Sequence, residues 1–233
     1  LIYMNPVLSG KKVQQGDISN WKGMSKEIRD FRSETGEEPL WTNSMFGGMP
    51  SYQISTKYHN NLAKEIDDVL KLGLPRPADF LWLNMLGFFI LLIVMGVNPW
   101  LSIVGAIAYA FSSYFFIIIE AGHNTKAHAM TYMAPVLAGV ILTYRGKYLL
   151  GGILTMLFVS LEVSTNHLQV TYYLIIILII LGIGELIHQA KKKQFPHFLK
   201  ATGILLVAAL IAVGPNITSL LLTQQYSKHT IRG

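Results

Sequence analysis

The chain has 233 residues, of which 52% are hydrophobic and only 14% charged, and its formal net charge is +6. The apolar residues come in long runs rather than short alternations, which reads as a polytopic membrane protein rather than a soluble domain. The lack of cysteine excludes thiol chemistry and thiolate metal sites, and the basic excess lies interleaved with acids between Lys11 and Arg76 or beside apolar runs, so it forms no nucleic-acid surface.

Taken in chain order, Leu1-Ile2-Tyr3-Met4 carries no cleavable signal pattern, and residues 1–8 are expected to be the end of a first transmembrane helix in a longer protein. Residues 9–79 form a long polar segment. Within it "NWKGMSKEIRDFRSETG" sets Trp21, Met24, Ile28 and Phe31 at helical spacing, with Gly36 as a stop. A second stretch, "KYHNNLAKEIDDVLKLG", puts Tyr58, Leu62, Ile66, Val69 and Leu70 on one stripe before Gly73, Pro75 and Pro77. Both are too short and too charged to span, so they are expected to lie at the membrane surface, with a small soluble outer subdomain as the alternative. Between them, "PLWTNSMFGGMPSYQ" has turn-forming glycines among Trp41, Phe46, Met49 and Tyr52, a loop able to line a cleft or simply to pack.

From residue 80 the chain supplies about six stretches of the roughly 20 residues needed to cross about 30 Å of hydrocarbon. They fall at 80–95, 101–119, 129–144, 149–163, 168–187 and 199–222, leaving 223–233 as the start of a further outer loop. Arg145-Gly146-Lys147 and Lys191-Lys192-Lys193 fall at alternate helix ends, which the positive-inside bias makes cytoplasmic. Counting from there puts the 9–79 segment, the loop "AGHNTKAHA", the 164–167 loop and the tail on the outer face. That face collects Asp17, His123, Asn124, Lys126, His128, Asn166, His167, Gln169, His229 and Arg232, whereas the inner loops hold little beyond Lys, Arg and Pro196-His197.

This order of elements, a hydrophobic helix, an outer loop with an early Asp, two surface helices and then a bundle, resembles the GT-C superfamily of membrane glycosyltransferases. Within it, "QGDISNWKGMSKEIRDFRSETGEEPLWTNSMFGGMPSYQ", "LPRPADF", "AGHNTKAHAMTYMAPVLAG", "LEVSTNHLQVTYY" and "YSKHTIRG" are similar to YfhO-type bacterial membrane proteins in their Bacteroidota form, over essentially the whole chain. The resemblance implies an all-α, GT-C-like bundle in the cytoplasmic membrane. It implies an enzyme that moves a sugar from a polyprenyl-phosphate carrier to a cell-envelope glycan or polymer on the outer face, and it sets Asp17 at the position of the first-loop catalytic acid. On position alone Asp17 equally suits the positive end of a helix dipole. The second outer loop departs from the pattern, being rich in His and Lys with only Glu120 at its edge.

The chemistry suits these residue types. A leaving phosphate departs as an anion and needs no proton, so one base for the acceptor hydroxyl and fixed donors for the phosphate suffice. Asp17 can be the base, and His123, Asn124, Lys126 and His128 can cradle the phosphate at headgroup depth. A divalent cation such as Mg²⁺ or Mn²⁺ on Asp17 is open. Zinc is less suited, since His123 and His128 lie five apart and point to different sides of a helix. Glu162, an acid in an apolar span, is a candidate by default, and one turn on Asn166 can face the same outer cavity. Arg232 can meet an anionic group. Two other classes stay open: a noncatalytic GT-C-like scaffold or accessory subunit among other membrane proteins, and a transporter, which would need polar or broken helices near midplane.

Overall fold

A computed structural model of the chain describes residues 4–58 and 61–230. Among them, five helices are long and apolar enough to cross a membrane, which gives the chain the character of a multi-pass membrane protein. The elements in order are α1 (Asn5–Leu8), α2 (Gly16–Met24), α3 (Lys26–Thr35), a two-residue hairpin of β1 (Trp41–Thr42) and β2 (Met49–Pro50), and α4 (Leu62–Leu70). There follow α5 (Ala78–Met95), α6 (Pro99–Ala110), α7 (Ser113–Ala121), α8 (Asn124–Tyr144), α9 (Tyr148–Ser164), α10 (Leu168–Lys191), α11 (Phe195–Val213) and α12 (Ile217–Ser227).

Local chemistry sets most boundaries. Asn98 caps α6, its side chain accepting from the Trp100 amide at 3.0 Å, with Pro99 in the first turn where no amide is needed. Gly36, Gly96 and Gly122 end α3, α5 and α7 in the left-handed conformation that a Cβ disfavours. Several boundaries differ from those read in the sequence. The expected first surface helix is two helices broken at Ser25, and of its apolar stripe only Ile28 is fully buried. The expected span at 101–119 is α6 and α7, separated at Phe111-Ser112. The last span is longer than expected: it is interrupted by a 3₁₀ turn at Gly214–Asn216, where Pro215 sits, and α12 carries helix through Thr223 to Ser227. At 17 residues, or roughly 25 Å, α9 falls short of the length that defines the other five.

Contacts define two ends of the bundle. At one end Arg145 donates to the Val94 carbonyl, and His197 uses Nε2 to reach the Tyr144 carbonyl at 2.7 Å while its Nδ1 accepts from the Tyr148 hydroxyl at 2.7 Å. Pro196-His197 is therefore a brace between helix ends. At the other end the 9–77 segment sits over the starts of α5, α8 and α10. Its middle folds on itself: Arg32 pairs with Glu38 at 2.6 Å, Glu27 accepts from Thr42 at 2.6 Å, and Ser44 donates to the Met24 carbonyl at 2.9 Å. The segment thus has internal contacts of its own.

The core centres on α8, which α5 and α9 flank, while α10 exposes Ile176, Ile179, Ile180 and Ile183 outward as a lipid-facing surface would. Small residues let α8 and α9 touch along their backbones. A Cβ on Gly139 would lie 2.6 Å from Thr155 Oγ1 and 2.7 Å from its amide nitrogen, and one on Gly151 would meet the Gly139 carbonyl at 2.7 Å. Gly139→Ala and Gly151→Ala should therefore each lower the thermal unfolding temperature in detergent, by about 1–3 kcal/mol of stability. The double variant should cost less than the sum, because one displacement of α9 relieves both clashes.

Candidate functional site

Helix α8 starts at Asn124, so the loop "AGHNTKAHA" is mostly helix, and only Gly122 and His123 make the turn. Gly122 has φ +95°, and a Cβ there would come within 3.0 Å of Asp17 Cβ and 3.2 Å of Gln15 Cβ. That close approach seats the start of α2 against the α7–α8 turn. The result is a hydrogen-bonded pair of Asp17 Oδ2 and His123 Nδ1 at 2.9 Å, with both side chains about half exposed. Beside it Gln15 and Asn124 exchange amide hydrogen bonds at 3.1 and 3.2 Å, and Gln15 also donates to the Ile119 carbonyl.

Two further groups surround this pair. Lys126 is half-buried, its ammonium 5.2 Å from the Tyr114 ring centroid. His167, which starts α10, is near enough to feel both Lys126 and His123. Burial, reinforced by those two neighbours, holds its imidazole below the usual histidine range, and its buried Nδ1 has no hydrogen-bond partner. Asp17, His123, Asn124, Lys126 and His167 are thus brought to one end of the bundle. Among the described residues no three His, Asp or Glu side chains converge as a metal-holding group.

Four expected site residues stand elsewhere. His128 does not join the exposed cradle: five residues along a helix turn it about 140° from His123, and it is 8% exposed, its Nε2 donating to Asp67 Oδ1 at 2.8 Å. Glu162 and Asn166 do not face one cavity, because α9 ends at Ser164 and Asn166 takes φ +56°, which breaks the helical spacing. Glu162 is fully buried and accepts from Thr171 at 3.0 and 3.1 Å, tying α9 to α10. Asn166 instead lines a polar cavity with Trp21 and Asn216. Gln169 is exposed and donates to the Tyr173 hydroxyl at 2.7 Å. Arg232 lies outside the described residues.

The chain matches no family model, no curated protein and no solved structure. The site is therefore read from its own geometry.

Sequence reasoning missed Asp67, on the face of α4 taken to be apolar. Besides His128, it accepts from the Tyr132 hydroxyl and pairs with Lys71. The available signal was the Asp67–Lys71 spacing of four, which puts an ion pair on the stripe itself. Burial pushes the Asp67 carboxyl up, but the hydrogen bond and charge of His128, with Lys71 and Tyr132, outweigh it and hold the group at about 2. Since the folded value lies below the ordinary 3.8, the pairing adds stability above pH ~4, and that stability is lost as pH falls toward 2. The difference corresponds to about 2 kcal/mol. Unfolding of wild type and Asp67→Asn, compared in detergent between pH 6 and pH 2.5, should show the wild-type advantage shrinking below pH 4.

A second expectation concerns the turn. Gly122→Ala must strain a positive φ and crowd Asp17, so it should destabilise by about 1 kcal/mol or more. It should also weaken the Asp17–His123 pair, read by NMR as a weaker hydrogen bond at the His123 ring.

Proposed function

We propose that this chain forms the membrane-embedded body of a GT-C-like, YfhO-type glycosyltransferase in the bacterial cytoplasmic membrane. It moves a sugar from a polyprenyl-phosphate carrier to a cell-envelope glycan or polymer on the outer face. The supporting observation is the Asp17–His123 pair with Lys126 and His167 around it, a base and anion partners together at one end of an apolar bundle.

In this reading the acceptor hydroxyl attacks the anomeric carbon of the donor sugar. The new glycosidic C–O bond forms as the bond to the carrier phosphate breaks, and the electron pair leaves with the phosphate. The hydroxyl proton passes to the Asp17–His123 pair, either to the carboxylate directly or to imidazole Nε2 with Asp17 holding Nδ1–H. Lys126 supplies charge to the phosphate oxygens, and His167, neutral at physiological pH, supplies a hydrogen-bond donor rather than a second cation. Asn124 is fixed by Gln15 and positions the turn. A divalent cation, were Asp17 to hold one, would supply charge to the leaving phosphate as Lys126 does.

A transporter is the second reading, favoured by the α6–α7 break at Phe111-Ser112, midway along an apolar segment. Phe111 is 38% exposed, and the residues that follow, Ser113 and Tyr114, also face out of the bundle, so the break lines no substrate path among the described residues.

Sugar transfer from a labelled polyprenyl-phosphate donor, measured in membranes at matched expression, tests the reading. Asp17→Asn should lose about 10²- to 10⁴-fold in rate while still binding donor, as expected for removal of a general base. Lys126→Ala should raise the donor KM more than it lowers kcat. Equal transfer by Asp17→Asn removes Asp17 from the chemistry, and no transfer by wild type across several donors favours the accessory-subunit reading.

A further inference from the structure

A cavity of about 440 Å³ lies between the 9–77 segment and the ends of α9 and α12. This is within the ~300–1,000 Å³ range usual for small-molecule sites. Its walls come from four separate pieces of chain: Trp21 on α2, residues 52–58 with Asn61 and Lys64, residues 163–166, and residues 215–220.

Two features make it a built site rather than a surface dent. Its frame is rigid: Asn61 donates to Asn216 Oδ1 at 3.2 Å while capping α4 by accepting from the Ala63 amide at 3.0 Å, and Asn216 donates onward to the Ser160 carbonyl at 2.9 Å. The Trp21 indole is pinned by its donation to the Ile54 carbonyl at 3.0 Å, with Arg29 5.8 Å from its ring centroid. Its lining is also chemically consistent. Trp21, Tyr52 and Tyr58 contribute aromatic bodies, whereas Asn166, Thr218 and Ser219 bring polar side chains with no protein hydrogen-bond partner among the described residues.

Charge discriminates among ligand classes. Among the described residues lining the cavity, Lys64 is the sole charged side chain, and its ammonium lies 5.2 Å from the Tyr58 ring centroid, facing the ring rather than free for an anion. A phosphate or a carboxylate would find no cluster of cations, and a lipid chain would find amides and hydroxyls it cannot pair. A ring with apolar C–H faces and a rim of hydroxyls suits both parts of the wall, stacking on the aromatics while the rim pairs with the side-chain donors and acceptors.

We propose that this cavity binds uncharged pyranose units of the acceptor glycan. The word acceptor rests on the transferase reading, and the binding of a neutral sugar does not. The two sites are connected through α2: Asp17 and Trp21 are four residues apart, so they lie on one helix face about 5–6 Å apart at Cβ. A sugar stacked at Trp21 therefore stands one helical turn from the proposed base.

The test is calorimetric titration of the full-length protein, in lipid nanodiscs free of glycoside detergent, with methyl glycosides of hexoses and N-acetylhexosamines. Methyl glucuronoside and inorganic phosphate serve as charged probes. Saturable binding of at least one neutral glycoside is expected, weaker by about 10-fold or more in Tyr52→Ala, which removes a stacking face. It should be weakened similarly in Ser219→Phe, which fills the cavity, with unfolding temperatures checking that both variants fold. No binding of any neutral glycoside, binding undiminished in both variants, or a preference for the charged probes would overturn the site. Neutral glycoside binding by a protein that transfers no sugar would keep the site and overturn the transferase reading. Transfer without glycoside binding would do the reverse.

Discussion

Asp67 is a carboxylate withdrawn from water at the seam between a surface helix and a span, and it is tolerable there only because donors from two elements converge on it. Lys71 comes from its own helix, while His128 and Tyr132 come from α8, one turn apart. Removing one partner of such a cluster typically costs about 3–5 kcal/mol, because the others are left buried and unpaired. The cluster therefore acts as a docking key: α4 can bury its charged face in one place only. Phe80 packs on the His128 ring at 5.3 Å and Arg76 pairs with Asp79 at 3.4 Å, so the chain entering α5 is fixed by the same knot.

Everything beyond the seam follows from that attachment. With α4 seated, Asn61 at its start reaches Asn216, and Tyr52 to Thr56 with Tyr58 form one wall of the polar cavity. At the other edge, Gln15 and Asp17 meet the α7–α8 turn at a glycine that leaves room for both. The bundle beneath needs equivalent intimacy to present these ends in register. Gly87 supplies it between α5 and α8, where a Cβ would stand 2.7 Å from the Thr131 carbonyl. In lipid there is no hydrophobic gain from helix association, so such backbone proximity is a principal source of cohesion.

Much of the bundle was legible in the sequence, because long apolar runs carry their own length constraint and glycines and prolines punctuate them. Breaks inside apolar runs were not. Nothing in the hydropathy of Tyr109 to Tyr114 distinguishes a continuous helix from the α6–α7 break, and Pro215 marks a turn only once packing decides that α12 bends. The amphipathic stripe of α4 misled for a different reason. Periodicity assigns the buried face to apolar residues, whereas Val69 and Leu62 are exposed and Asp67 is buried, because a specific charge partner on α8 outweighs the generic preference. Among candidate site residues, His123 and Lys126 stood out by composition. Gln15 and Asp67 did not, since their contacts come from chain segments that meet only in three dimensions.

The crowding of polar residues in "AGHNTKAHA" resolves into a division by helical angle. Residues before and at the start of α8 turn toward the 15–17 strip, where His123 meets Asp17 and Asn124 meets Gln15. Lys126 swings to Tyr114 on α7, and His128 swings inward to Asp67. One short stretch thus contacts the segment before α5 at two points, with the half-exposed pair at one and the buried key at the other. Because both contacts lie within the first two turns of one helix, any displacement of α4 that strains His128 is transmitted to the turn bearing His123 through about 7 Å of rigid backbone. The buried cluster therefore sets the geometry of the exposed pair, so the placement of Asp17 against His123 depends on a charge kept out of water.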